Sequence, residues 1–209
     1  MKKSVPVFIL ALAFWLVAGT TIYGAEVSGH VRGPESPKSS RLTIIVYAEA
    51  LDGRTLVRPG HFKMTQRDKA FVPNTLAIPV GSKVDFPNED PFFHNVFTQS
   101  GPGRFNLGMY RPGEQKSHVF AEPAVYRMFC KIHPQMTAVI LVLPSSFITG
   151  LDATGAYRLD LPPGRFRVTA WSERTEPATT EVTVSAGPVK LPDLVLSPHG
   201  AEELPRNNK

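Results

Sequence analysis

Twenty prolines and sixteen glycines break this 209-residue chain into short pieces. Proline fixes φ and removes a backbone donor, and glycine marks tight turns. Between them lie short runs rich in Val, Ile, Thr, Phe and Tyr. Beyond the N-terminal stretch none of these runs sustains a 3.6-residue apolar period. This pattern predicts an all-β chain, sandwich or barrel. The alternation is clean where it can be read. Tyr157, Leu159 and Leu161 share one face of their run, and Phe166, Val168 and Ala170 oppose Arg165, Arg167 and Thr169. One wet and one dry face is the signature of antiparallel sheets packed as a sandwich.

Strands are expected at Val27–Val31, Leu42–Ala48, Lys63–Arg67, Thr75–Pro79, Lys83–Phe86, His94–Thr98, Phe105–Leu107, Lys116–Phe120, Ala124–Cys130 and Thr137–Val142. Leu143-Pro144-Ser145-Ser146 reads as a linker. Beyond it, strands are expected at Ala156–Leu161, Arg165–Trp171, Thr179–Val184 and Val189–Leu196, and the polar tail 199–209 is expected to be disordered.

Met1-Lys2-Lys3 precedes an apolar stretch from Val5 to about Ala18, then small residues at Gly19, Thr20, Gly24 and Ala25. This order predicts a secretory signal over residues 1–25. The apolar core is short for a membrane span, so no stable span is expected once the signal is removed. Loss of Lys2 and Lys3 takes the formal charge from +5 to +3. No Lys/Arg run makes a nucleic-acid footprint.

An exported chain normally pairs its thiols, yet Cys130 is the only cysteine. It lies in Phe129-Cys130-Lys131-Ile132-His133-Pro134-Gln135-Met136. A second imidazole, His94, stands upstream in Asp90-Pro91-Phe92-Phe93-His94-Asn95-Val96. Taken singly, each has an ordinary reading: the thiol as a small hydrophobe, the histidines and the methionine as structural residues. Together, one thiolate, two imidazoles and a thioether form the ligand set of a mononuclear blue-copper site. Cys130, His133 and Met136 would come from one loop between adjacent strands, with His94 fixing the site to a separate strand. His30, His61, His118 and His199 fall outside this set and read as surface residues.

From about Phe62 to Leu143 the chain resembles a cupredoxin of the plastocyanin/amicyanin type. Ala70-Phe71-Val72-Pro73 and Leu76-Ala77-Ile78-Pro79-Val80-Gly81 resemble its first strands. Val84-Asp85-Phe86-Pro87-Asn88-Glu89-Asp90 and His94-Asn95-Val96 resemble the approach to the first histidine ligand. Tyr126-Arg127-Met128-Phe129-Cys130, His133-Pro134, Met136 and Ile140-Leu141-Val142 resemble the ligand loop and last strand, and the short step to Met136 is amicyanin-like. The resemblance implies a Greek-key β-sandwich holding one copper ion through His94, Cys130, His133 and Met136. It also implies that Asn95 braces the ligand loop and that the Phe93 carbonyl approaches the metal weakly.

The run Asp152 to Val168 is similar to a carboxypeptidase regulatory-like, or prealbumin-like, β-sandwich, and Val27–Val31 with Leu42–Ala48 resemble its opening strands. The expected organisation is 26–61 as N-terminal strands, 62–143 as the copper domain and 148–198 as the second sandwich. Residues 26–50 either belong to that second sandwich, the copper domain being inserted into it, or pack in tandem order. The whole chain is similar to exported bacterial proteins labelled methylamine utilization protein.

The expected function is one-electron transfer in the periplasm, with a redox partner protein such as a c-type cytochrome. Two other readings stay open: a copper delivery, storage or sensing module, and a metal-free β-sandwich binding protein. An enzyme is not expected. A single thiol excludes a two-thiolate dinuclear copper centre, and no nucleophile–base arrangement stands out.

Overall fold

A computed structural model describes residues 24–34 and 42–199, all of them strand, turn or loop. The signal reading falls mostly on residues 1–23 and the tail reading on 200–209, outside the described residues.

The first strand, β1 (Ala25–Arg32), alternates buried Ala25, Val27, Gly29 and Val31 with more open neighbours, a period of two along one dry face. β2 (Ile45–Ala50) buries Val46 and Ala48 in the same way. The strand expected at Leu42–Ala48 therefore starts three residues later and ends two later.

The chain then runs through β3 (His61–Lys63), β4 (Thr65–Arg67), β5 (Ala70–Val72), β6 (Thr75–Pro79), β7 (Lys83–Pro87), β8 (His94–Thr98), β9 (Phe105–Tyr110), β10 (Gln115–Val119), β11 (Ala124–Phe129) and β12 (Thr137–Leu143). One sheet has the order β10-β7-β3 and a larger one β6-β12-β11-β8-β9. β4 and β5 form a hairpin. Between the sheets lie Phe86, Val96, Phe120, Tyr126, Met128, Ile140 and Val142, all buried, as one apolar cluster. β12 pairs antiparallel with β11 and parallel with β6, and six of its seven residues are buried. Its unbroken run Ala138-Val139-Ile140-Leu141-Val142-Leu143 reflects burial on both faces.

The last stretch comprises β13 (Phe147–Thr149), β14 (Ala156–Leu161), β15 (Gly164–Trp171), β16 (Thr175–Glu176), β17 (Ala178–Val184), β18 (Val189–Lys190), β19 (Leu194–Val195) and β20 (Ser197–Pro198). β1 pairs with β14, β18 and β19, with Val27 opposite Leu159 and Val189. β2 lies between β13 and β15, with Ala48 opposite Phe147 and Val168. Val27, Val46, Ala48, Tyr157, Leu161, Phe166 and Val168 belong to a second apolar cluster that shares no residue with the first. The expected strand Val189–Leu196 is split at Leu191-Pro192-Asp193, because proline cannot donate to a ladder. Ser145 Oγ donates to the Ala48 carbonyl, and the Ser146 and Leu56 backbones bond at 3.3 Å, so both connections between the two clusters are fastened.

Candidate metal centre

β8 and β11 run antiparallel, with Phe97 opposite Phe129 and Thr98 opposite Met128. Continuing that register puts position 94 level with 132. The pairing therefore carries His94, the first residue of β8, to the loop that follows Phe129. That loop folds back on itself: the Met136 N–H donates to the His133 carbonyl at 2.9 Å, and β12 begins at Thr137.

Three donor atoms converge there. His94 Nδ1 lies 3.8 Å from Cys130 Sγ and 3.3 Å from His133 Nδ1. All three side chains present a ligand atom within 4.8 Å of the others. Donors sharing one first-row ion, at about 2.0 Å for nitrogen and about 2.3 Å for sulfur, stand roughly 3.3–3.8 Å apart. The cluster fits a metal. His94 and Cys130 are buried, and His133 is half exposed. Met136 is buried in the same apolar cluster as Cys130.

The loop entering β8 is built to hold His94. Asn88 is buried. Its Nδ2 donates to the Phe92 carbonyl at 2.8 Å, and its Oδ1 accepts the Asp90 N–H at 3.1 Å. Asp90, also buried, places Oδ2 2.8 Å from His94 Nε2. Burial alone would raise the Asp90 carboxyl. The Lys69 N–H, His94 and the Asp68 N–H outweigh it and hold the group below the ordinary carboxylate range. Burial, reinforced by nearby His94 and Lys69, pushes His133 down from its ordinary value. That keeps the ring neutral, the form with a lone pair to give. Phe92 walls the site, its ring centroid 5.4 Å from both imidazoles, and the Lys69 ammonium sits 5.2 Å from the Phe92 centroid. Phe93, Ile132, Pro134 and Gln135 are exposed around His133.

Beneath the site, Tyr110 lies opposite His94 across β8 and β9. Its hydroxyl donates to the Phe86 carbonyl at 2.9 Å and accepts from the Gln66 amide. Burial pushes the phenol well above its ordinary value.

Neither a protein-family model nor a curated relative matches the sequence. Solved structures do resemble it. A purple cupredoxin from Nitrosopumilus maritimus is 27% identical over 39% of this chain and 98% of its own, with a TM-score of 0.36. A reduced amicyanin variant is 22% identical over 46% of this chain and 99% of its own, with a TM-score of 0.37. A copper-containing nitrite reductase from Thermus scotoductus is 28% identical over 55% of this chain but only 28% of its own, with a TM-score of 0.39. From β3 to β12 the chain is similar to these cupredoxins.

Other expected residues take these places in the stretch from β3 to β12. The Asn95 amide nitrogen donates to Asn106 Oδ1 at 2.8 Å and to the Gly108 carbonyl at 3.0 Å, so it fastens β9 instead of the ligand loop. Its buried Oδ1 has no partner among the described residues. His118, expected at the surface, is half-buried: its ring stacks on Phe105 at 3.8 Å and meets Phe120 edge-on at 5.0 Å. His61 is exposed but ion-pairs with Asp85 at 2.7 Å. Asp90 and Asn88 received no role from the sequence. The one sequence signal bearing on Asp90 is its four-residue spacing from His94, which by itself assigns no role.

Proposed function

We propose that this protein is an exported mononuclear blue-copper protein that transfers single electrons in the periplasm and is not an enzyme. The observation that carries the reading is the convergence of one thiol sulfur and two imidazole Nδ1 atoms at the end of a rigid β-sandwich. Bound copper supplies a one-electron couple, and soft thiolate with imidazole suits it.

Cys130, His94, His133 and Met136 would hold the ion, supplying one thiolate, two imidazoles and a thioether. The chain's part is to hold them still. β8 and β11 are hydrogen-bonded neighbours, so His94 and Cys130 cannot drift apart without breaking the ladder. Burial of Cys130 keeps water and oxidants from the sulfur. A site that changes little between two charge states transfers electrons with little rearrangement. His133 is the one member of the cluster that reaches solvent, which makes its ring the outlet for the electron. The exposed Phe93 and Ile132 beside it offer an apolar contact to a redox partner such as a c-type cytochrome.

Strand pairing also supports an inserted order, in which residues 62–143 interrupt a second sandwich made from β1, β2 and the strands after β12.

The deciding measurement is an optical and paramagnetic-resonance spectrum of the copper-loaded protein. The expected result is an intense visible band and a small copper hyperfine splitting. A colourless cupric protein removes the blue-copper reading. A blue protein that hands cuprous ion rapidly to a chelator after reduction points to delivery instead.

A further inference from the structure

Among the described residues, Asp90 is the one carboxylate hydrogen-bonded to the donor cluster. We propose that it is a positioning residue of the metal centre, fixing His94 in the Nε2–H tautomer so that Nδ1 faces Cys130 and His133 as a bare donor. A second consequence rests on the copper reading: the same negative charge lowers the reduction potential of the bound ion.

The geometry leaves His94 little choice. Asp90 is 5% exposed. Its Oδ1 accepts the Asp68 N–H at 2.7 Å, and its Oδ2 accepts the Lys69 N–H at 2.9 Å. Backbone amides can only donate, so both carboxylate oxygens are already committed as acceptors. The remaining contact, 2.8 Å from Oδ2 to His94 Nε2, must then be a donation by the ring. A neutral imidazole carries one N–H. With Nε2 protonated, Nδ1 has the free lone pair, and Nδ1 is the atom that faces Cys130 Sγ and His133 Nδ1.

The two amides that hold Asp90 come from a special turn. Asp68 and Lys69 have φ of 54° and 57°, both left-handed, at the tip of the β4–β5 hairpin. Successive residues in that conformation aim their N–H groups at one side, making a small anion-binding concavity. The concavity binds the Asp90 carboxylate, and the carboxylate binds the ring. The hairpin therefore sets the orientation of a ligand whose own strand it does not pair with. A negative charge hydrogen-bonded to an imidazole ligand favours the more highly charged oxidation state of the ion beyond it.

The test uses the full chain in three forms: wild type, Asp90→Asn and Asp90→Glu. Nitrogen-15 NMR of the metal-free wild type should show His94 protonated on Nε2, with a slowly exchanging ring proton, and unprotonated on Nδ1. In Asp90→Asn three donors compete for one oxygen, and the amide NH2 faces either an N–H or the ring. The protected Nε2 proton should be lost, affinity for cuprous ion in chelator competition should fall about 10- to 100-fold, and the potential should move upward. Asp90→Glu should restore part of each. Protonation of wild-type His94 on Nδ1 overturns the proposal, whether or not the variants fold. So does an Asp90→Asn protein that keeps the tautomer and the affinity. If wild type shows the Nε2–H tautomer but takes up copper without colour, the tautomer assignment is upheld and only the blue-copper reading falls.

Discussion

At the scale of single residues, the centre depends on Cys130 more than on any neighbour. A hydroxyl is a poor soft ligand, so Cys130→Ser should abolish the visible band of the copper-loaded protein, as absorption spectroscopy will show. It should also lower the stability of the metal-free protein by about 1–3 kcal/mol, because a buried hydroxyl replaces a weakly polar thiol with no partner arranged for it. Thermal denaturation of the metal-free variant measures that second effect. The candidate donors were legible because a proposed blue-copper site needs soft sulfur and imidazole, and Cys130, with histidine and methionine three and six positions on, offers that set. Asp90 was less legible. A carboxylate four residues before a histidine is common, and its role appears only when the Asp68 and Lys69 amides arrive from another hairpin.

At the scale of elements, β10 carries a half-buried titrating group that packs against β9. His118 on β10 lies against Phe105 and Phe120, and burial pushes it below its ordinary value of 6.5. The unfolded chain therefore binds this proton more readily than the folded one. Stability from neutral His118 is present above about pH 6.5 and is lost as pH falls from there through the lower folded value. Metal-free wild type should lose stability between pH 7 and 5, and His118→Phe should lose measurably less over that range. Denaturant midpoints at several pH values check this, and equal slopes for the two proteins would refute it. The strand itself was expected from its flanking turns; its stacked partner was not, because Phe105 is brought beside it by sheet packing. β5 was legible only through the resemblance of Ala70-Phe71-Val72-Pro73 to a first strand, because three residues show no period until Thr65 pairs with Val72.

At the scale of the whole molecule, two apolar clusters share no residue. Phe166, fully buried in the cluster built from the first and last strands, belongs to a different cluster from Cys130 and Met136. Phe166→Ala should destabilise that cluster by about 3–5 kcal/mol. If the inserted arrangement holds, calorimetry should show the earlier of two transitions moving down, while the copper-loaded protein keeps its visible band. A single transition that takes the colour with it would mean that the two parts fold as one unit. The exposed ion pair of Arg127 with Glu173, at 3.1 Å, joins them across β11, and a pair so open to solvent adds little to their coupling.

The sequence by itself determined the all-β class, most strand positions and the residue types of the candidate centre. Each of these is local: turn residues, two-residue alternation and ligand spacing are written along the chain. Tertiary structure decided which strands pair, that His118 is packed between rings, that Asn95 fastens β9, and that Asp90 reaches His94. Those facts depend on groups far apart in sequence meeting across sheets. β1 pairing with β14 joins residues more than a hundred positions apart, and no local pattern specifies such a partner, because many alternating strands would satisfy the same dry face.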